Sequence, residues 1–140
     1  MKKIMIFLLL GLLLDGAQEK QYPLGYMVNG NRVFYTYMEL KEIDISTFEI
    51  LDERYAKDKY NIYFEGEAIE NINPQEFVRM GNFFGKSKDK VYIGTKVIKD
   101  ADVSSFEPLE HSRSKDKNHV FFADRILVGA DPYTFTVFNN

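Results

Sequence analysis

Apolar and polar positions recur along this chain with a period of 29 residues. Phenylalanine stands at this spacing four times. Each Phe is preceded by a strand-like run of one β-branched and two aromatic or apolar residues, then by an Asp or Asn four positions before it. The repeated columns are Phe48, Phe77, Phe106 and Phe135; Val33-Phe34-Tyr35, Ile62-Tyr63-Phe64, Val91-Tyr92-Ile93 and Val120-Phe121-Phe122; and Asp44, Asn73, Asp102 and Asp131. A fixed period of about 20 to 50 residues is typical of stacked supersecondary units.

Turn-forming residues divide each period into short antiparallel strands. Asn29-Gly30 lies between two apolar runs and predicts a hairpin, because both turn positions favour positive φ. The same slot holds Asp58-Lys59, Ser87-Lys88 and Asp116-Lys117, and a second turn is marked by Gly66, Gly94 and Asp124. Asn73-Pro74 and Asp131-Pro132 predict single helical turns, and Pro108 predicts an edge strand or a bulge. We therefore predict an all-β fold of four tandem antiparallel β-hairpin repeats with single helical turns, in an extended or curled array.

The chain divides into a leader, a linker and one repeat domain. Residues 1–17 have a basic start, an eleven-residue apolar run and a small residue at the end, which is the layout of a secretory signal peptide. The apolar run is too short to span a bilayer, so we expect no membrane span after cleavage. Residues 18–24 form a polar lead-in. The repeats are predicted at 25–53, 54–82, 83–111 and 112–140.

Composition and charge narrow the function classes. The chain of 140 residues has no Cys, which excludes disulfides, thiol nucleophiles and thiolate metal sites. Removing residues 1–17 leaves a net charge of about −4 and no basic patch, so a nucleic-acid partner is not expected. No G-x-S-x-G motif, glycine-rich phosphate loop or isolated carboxylate pair occurs. His111 and His119 are too few for a zinc site. We expect neither an enzyme nor a cofactor or metal site.

The aromatic ladder of Phe34, Tyr63, Tyr92 and Phe121 has two interpretations. The rings could stack on sugars, or they could form the core, and we favour the core because aromatic residues dominate core burial. If the ladder is core, tyrosines outside the repeated columns are the better contact candidates. These residues are Tyr37, Tyr60 and Tyr133.

The last copy suggests a second contact site. A strand is predicted at residues 135–138, where earlier copies continue into a further hairpin. Val137 and Phe138 would then lie on an exposed strand edge, and such edges recruit other strands by β-augmentation. We expect edge-to-edge self-association or a partner's strand at this edge. The alternative is that the strand folds back on the array.

Three segments carry a resemblance to a known family. They are Lys57-Asp58-Lys59 with Ile62-Tyr63, Lys115-Asp116-Lys117-Asn118 with Val120-Phe121, and Gly129-Ala130-Asp131-Pro132 with Thr134-Phe135. Over residues 25–140 the chain resembles the DKNYP repeat family of bacterial surface and periplasmic proteins. The resemblance implies a repeat module and no catalytic residues. We therefore expect a secreted, periplasmic or surface-exposed non-enzymatic protein that contacts another protein or an envelope glycan. The alternative is a carbohydrate-binding module that uses the aromatic ladder.

Overall fold

Short strands and tight turns build the part of the chain that the computed structural model describes, residues 24–137. Fifteen strands form four antiparallel sheets there, and no helix occurs in this range. Sheet 1 contains β1 (Tyr26–Asn29), β2 (Arg32–Tyr35) and β3 (Met38–Leu40); sheet 2 contains β4 (Glu49–Ile50), β5 (Tyr55–Lys57), β6 (Ile62–Phe64) and β7 (Glu67–Ile69). Sheet 3 contains β8 (Val78–Gly81), β9 (Phe84–Lys86), β10 (Val91–Ile93) and β11 (Lys96–Val97); sheet 4 contains β12 (Glu107–Pro108), β13 (Arg113–Lys115), β14 (Val120–Phe122) and β15 (Arg125–Ile126).

The strands follow the 29-residue period of the sequence. The strands β5, β9 and β13 begin 29 residues apart, as do β6, β10 and β14. Neighbouring strands in each sheet are consecutive in the chain, so every connection is a hairpin. The predicted all-β fold of tandem antiparallel repeats is therefore confirmed.

Each of sheets 2, 3 and 4 takes its first strand from the preceding sequence copy. In sheet 2 this strand is β4, which directly follows Phe48 and pairs with β5 through Glu49↔Lys57 and Ile50↔Ala56. The strands β8 and β12 stand in the same position in sheets 3 and 4. The copies that the sequence delimits are thus joined by main-chain pairing. Pro108 lies in the edge strand β12, as predicted, where a missing N–H is tolerated.

The turns differ in detail from the sequence prediction. Asn29 pairs with Arg32, so the loop of the first hairpin consists of Gly30 and Asn31, one residue later than predicted. Gly30 has φ of 59°, which matches the positive φ that such a turn requires. The Asp and Asn caps begin hydrogen-bonded turns at 45–47, 74–76, 103–105 and 132–134, and none extends into a helix. Only three residues separate each cap from its Phe, which is too few for a helix to propagate.

The second hairpin turn has the same backbone geometry in all four copies. Its first residue has a left-handed φ of 50–57° and donates its N–H to a carbonyl eleven residues earlier, at 2.7–2.8 Å. The residues concerned are Thr36, Glu65, Gly94 and Ala123. Three of these are not glycine, so the surrounding pairing holds a conformation that L-residues seldom adopt.

The aromatic ladder belongs to the core. Tyr92 of the third copy packs with Tyr55 and Ile62 of the second. Phe121 of the fourth copy packs in the same way with Phe84 and Val91 of the third. Tyr63, Tyr92 and Phe121 are buried, with 4%, 1% and 0% exposure, and Phe34 is half-buried. Tyr63, Tyr92 and Phe121 therefore pack into the copy before them, and the interpretation as core is confirmed for these three rings.

Two of the repeated Phe residues, Phe77 and Phe106, also pack in the core clusters. Phe106 is buried between Phe84 and Phe121, with ring centroids 5.5 and 6.2 Å away. Phe77 is only half-buried, and its ring occupies the space that a Cβ on Gly85 would need. The residues at the position of Gly85 in the flanking copies, Ala56 and Ser114, are small and buried as well. Small side chains in this column leave room for the Phe of the preceding copy.

Residues 135–137, the described part of the strand predicted at 135–138, do not form a strand. Thr136 and Val137 correspond to β4, β8 and β12, each of which pairs with the sheet that follows it. No further sheet follows within residues 24–137, so Thr136 and Val137 have no described strand with which to pair. Phe138, the predicted signal peptide at 1–17 and the predicted lead-in up to residue 23 lie outside the described residues.

We expect Phe106→Ala to lower the free energy of unfolding by about 3 to 5 kcal/mol, because it removes a buried ring that contacts two copies. His111 lies exposed in a turn, and His111→Ala should cost about 0.5 kcal/mol or less. Chemical denaturation of both variants measures the difference. Equal losses at the two positions would show that the packing columns are misassigned.

Candidate functional site

The boundary between the first and second copies is held by one buried carboxylate. Asp58 lies in the turn after β5 and is 2% exposed. Its Oδ1 accepts hydrogen bonds from the N–H groups of Tyr60 and Asn61, both at 2.8 Å. Its Oδ2 accepts from the Asp44 N–H at 3.0 Å and from the Tyr63 hydroxyl at 2.8 Å. Asp44 belongs to the preceding copy, so this side chain both forms the turn and joins two copies.

The lysine that follows adds two contacts across the same boundary. The Lys59 N–H donates to the Thr47 hydroxyl at 3.0 Å, and Lys59 Nζ lies 3.4 Å from Asp44 Oδ2. Asp58 and Lys59 thus contact the turn that begins at Asp44, the cap turn of the preceding copy, through the N–H and carboxylate of Asp44 and the hydroxyl of Thr47. We call this arrangement the Asp–Lys dock.

The Asp–Lys dock recurs between the third and fourth copies. Asp116 Oδ2 accepts from the Asp102 N–H at 2.7 Å, and the Lys117 N–H donates to the Ser105 hydroxyl at 3.0 Å. Lys117 Nζ lies 3.2 Å from Asp102 Oδ2. Between the second and third copies Ser87 replaces the Asp, and its hydroxyl accepts the Lys90 N–H within its own turn. The Tyr55 hydroxyl there donates to the Phe83 carbonyl at 2.6 Å.

Hydrogen bonds lower the pKa of two carboxylates of the dock, Asp58 and Asp102. Burial alone would raise the pKa of Asp58, but hydrogen bonds from the Asp44 N–H, the Tyr63 hydroxyl and two turn amides outweigh it, and the pKa is lowered. The hydroxyls of Ser105 and Ser104 lower the pKa of Asp102 well below its usual range. Asp58 and Asp102 are therefore both deprotonated in the folded protein at neutral pH.

One comparison with known proteins gives a match. A family model described as the DKNYY family matches residues 26–140, which include every described strand. The chain belongs to the DKNYY family. The resemblance to a repeat family of this kind is thereby confirmed. No curated protein and no solved structure matches the chain.

The predicted contact tyrosines of this DKNYY chain are exposed. Tyr37, Tyr60 and Tyr133 have 59%, 64% and 82% exposure, and each lies in a turn of a different copy. The Lys59 ammonium lies 4.6 Å from the centroid of the Tyr60 ring. Val137 is half-buried, and Phe138 lies outside the described residues. The three tyrosines are therefore separate surface features of the DKNYY array.

The sequence prediction missed three exposed apolar residues of the fourth copy, Phe122, Ile126 and Val128. Phe122 is 49% exposed and Val128 is 96% exposed. Val128 stands where the other three copies have Lys41, Glu70 and Lys99. Comparison of this exposed column across the DKNYY copies would have identified Val128. Phe122 carried no such signal, because its column is apolar throughout.

One cleft of the DKNYY array is lined mainly by charged side chains. A cleft of about 530 Å³ is lined by Asp52, Arg54, Arg79 and Phe83, among others. Arg79 pairs with Asp52 at 2.5 Å, and Arg54 pairs with Glu65 and lies over the Phe83 ring. The charges of this cleft thus already satisfy one another. Across residues 24–137 no group of three or more His, Asp or Glu could hold a metal ion, and no helix is long and apolar enough to cross a membrane.

We expect Asp58→Asn to destabilise the protein by about 1 to 3 kcal/mol at pH 7, because an amide cannot accept all four hydrogen bonds. Asp58 has a lower pKa in the folded state than in the unfolded state, so its charge stabilises the fold above the unfolded pKa of about 3.9. This contribution is lost as the pH falls through the folded pKa. The difference between parent and variant should therefore shrink below about pH 4. Urea denaturation between pH 7 and pH 2 measures it.

Asp100→Asn is the matched control, since Asp100 lies in an exposed turn with φ of 64°, which Asn tolerates. This variant should keep the parent's stability across the pH series. A pH-independent difference for Asp58→Asn would contradict the role given to its charge.

Proposed function

We propose that this chain is a secreted, non-enzymatic repeat protein that contacts another protein through residues outside its repeated columns. The proposal rests on one observation, that the side chains of the repeated columns contact neighbouring copies. Ladder rings, repeated Phe residues and Asp–Lys turns pack or hydrogen-bond copy against copy. Side chains that build the array in this way are not available to a partner. The exposed residues that differ between copies are the ones left for recognition.

The exposed tyrosines are suited to this role. A tyrosine offers a large apolar ring together with a polar hydroxyl, and such residues are enriched at protein interfaces. Tyr133 stands where the other copies have Ser46, Gln75 and Ser104, so its ring is not required by the fold. Tyr60 is likewise outside the packing columns. An exposed ring that lies outside the packing columns favours a contact function.

The carbohydrate-binding alternative has lost its main support. It required the aromatic ladder to be exposed for stacking on sugar rings. Tyr63, Tyr92 and Phe121 are each at most 4% exposed, and Phe34 is half-buried beneath the Arg32 guanidinium, which lies 5.0 Å from its centroid. None of the three buried ladder rings offers an open face. A protein partner is therefore the better proposal.

Secretion to the periplasm or the cell surface is part of this proposal and is supported by the pattern of residues 1–17. We expect intact-mass measurement on protein from the native host to give a chain that begins at or near Gln18. Envelope-associated protein that retains Met1 would contradict signal-peptide cleavage.

A photo-cross-linking amino acid at Tyr60 or Tyr133 should give discrete adducts with a partner protein in the native cell envelope, because these rings are exposed and outside the core. Glu76 is exposed in the cap turn of the second copy and serves as the control position. Gel shifts and mass spectrometry of the adducts measure the result. Identical adducts from all three positions, or none from either tyrosine, would contradict the proposed contact surface.

A further inference from the structure

The boundary between the second and third copies, which we call the middle boundary, lacks both acids of the Asp–Lys dock. Its cap is Asn73 and its turn begins with Ser87, whereas the two flanking boundaries have Asp in both places. Asn73 still forms the cap turn, because its Oδ1 accepts the Gln75 N–H at 3.1 Å. The Ser87 hydroxyl donates to Asp89 Oδ1 at 3.2 Å and so bonds within its own turn. Neither side chain brings a charge to the neighbouring copy.

A third acid is missing from the strands beside this turn. In β5 and β13 a lysine pairs with a glutamate of the preceding copy, with 3.4 and 3.9 Å between Nζ and Oε2. The same lysine in β9 is Lys86, but the residue opposite it in β8 is Val78. Three acidic positions that the flanking boundaries share are therefore neutral at the middle boundary.

The lysines of the middle boundary are retained without these acids. Lys86 and Lys88 stand at positions where all four lysines of the flanking boundaries pair with an acid of the preceding copy. Lys90 is an additional lysine, and in the described part of the chain none of the three forms an ion pair. Residues 73–79 and 86–90 carry four basic and two acidic side chains, a net charge of +2. The equivalent ranges of each flanking boundary carry two basic and three acidic side chains, a net charge of −1.

Hydrogen-bond donors of the middle boundary also lack the acceptor that a dock supplies. Between the first two copies Asp58 Oδ2 accepts the cap N–H at 3.0 Å and the Tyr63 hydroxyl at 2.8 Å. Ser87 has no second oxygen, so it cannot serve both the Asn73 N–H and the hydroxyl of Tyr92, which stands at the position of Tyr63. A carboxylate from outside the array would supply the acceptor and the negative charge together.

A cleft at the middle boundary restricts where such a carboxylate can lie. The cleft has a volume of about 390 Å³ and is lined by Lys90 and by Tyr92, which is only 1% exposed. Glu67 and Glu70 of the second copy also line it. These two glutamates repel an anion, so a carboxylate is favoured at the lysine end of the cleft. The ligand therefore needs its acidic groups at the turn and none beside Glu67 and Glu70.

We propose that the middle boundary binds an acidic segment of the partner protein. Carboxylates of that segment contact Lys86, Lys88 and Lys90 and accept the Asn73 N–H, as Asp and Glu side chains do at the flanking boundaries. The site lies where the copies differ in sequence, which is the kind of position that the proposed function leaves for recognition. This inference rests on the proposed protein-contact function and adds the charge of the partner.

Fluorescence anisotropy tests this site, with a labelled hexaglutamate peptide as the probe and the full chain as the receptor. We expect saturable binding that weakens as the salt concentration rises from about 0.05 to 0.3 M, because salt screens exposed charges. Lys88→Gln with Lys90→Gln should weaken binding at least about tenfold, the effect of losing charge-assisted hydrogen bonds. Lys96→Gln with Arg125→Gln removes the same charge from exposed positions outside the middle boundary. This matched control should bind as the parent does.

A rebuilt dock separates specific binding from general attraction to lysines. Asn73→Asp with Ser87→Asp places both dock acids at the middle boundary and keeps every lysine. This variant should have a higher thermal midpoint than the parent and bind hexaglutamate at least about tenfold more weakly, because its own carboxylates engage the donors. Unchanged binding by this variant or by the Lys88→Gln and Lys90→Gln variant, or no binding by the parent, would overturn the proposal.

Three further outcomes concern the identity of the ligand. Citrate that competes as strongly as unlabelled hexaglutamate at the same carboxylate concentration would make a small ion the ligand and overturn the proposal. Self-association that Lys88→Gln with Lys90→Gln abolishes would make a second molecule of this chain the occupant and would also overturn it. Adducts at Tyr60 or Tyr133 alongside failed hexaglutamate binding would leave the contact function standing and refute only this site.

Discussion

The array depends on one contact, in which a ring from each later copy packs into the copy before it. A sheet of two- to four-residue strands has too little apolar surface to form a core of its own. Tyr92 and Phe121 supply the missing volume from the next copy, so each unit is stable only with its neighbour. The Asp–Lys dock then joins two of the three boundaries through a buried Asp side chain that accepts a hydrogen bond from the preceding copy.

The sequence predicted the architecture because burial imposes a period on it. Every Phe column, ladder position and cap is a packing requirement repeated at a constant spacing, and such requirements are visible in a single chain. The transfer of β4, β8 and β12 to the following sheet was not predictable, because strand pairing depends on register between copies and short strands specify register weakly. The one-residue shift of the first turn has the same origin, since the partner of Asn29 is set by the whole strand.

The exposed tyrosines were predicted from the sequence, whereas the Asp–Lys dock was not. Tyr37, Tyr60 and Tyr133 were identified because they fall outside the columns, and the structure exposes all three. Asp58 was predicted only as a turn former, since its second role requires an amide fourteen residues away in another copy. Phe122 was missed for the opposite reason: it fits its column perfectly in sequence, and its exposure arises only from the absence of a covering copy among the described residues.

The offset between sheets and sequence copies has an evolutionary consequence. Because each sheet takes one strand from the copy before it, no boundary in the sequence separates independent folding units. A duplication of 29 residues keeps the strand order of the array wherever in the period it begins. Such a gene can lengthen or shorten by one unit through unequal recombination at almost any position. The lineage can therefore change the reach of the array without evolving a new interface.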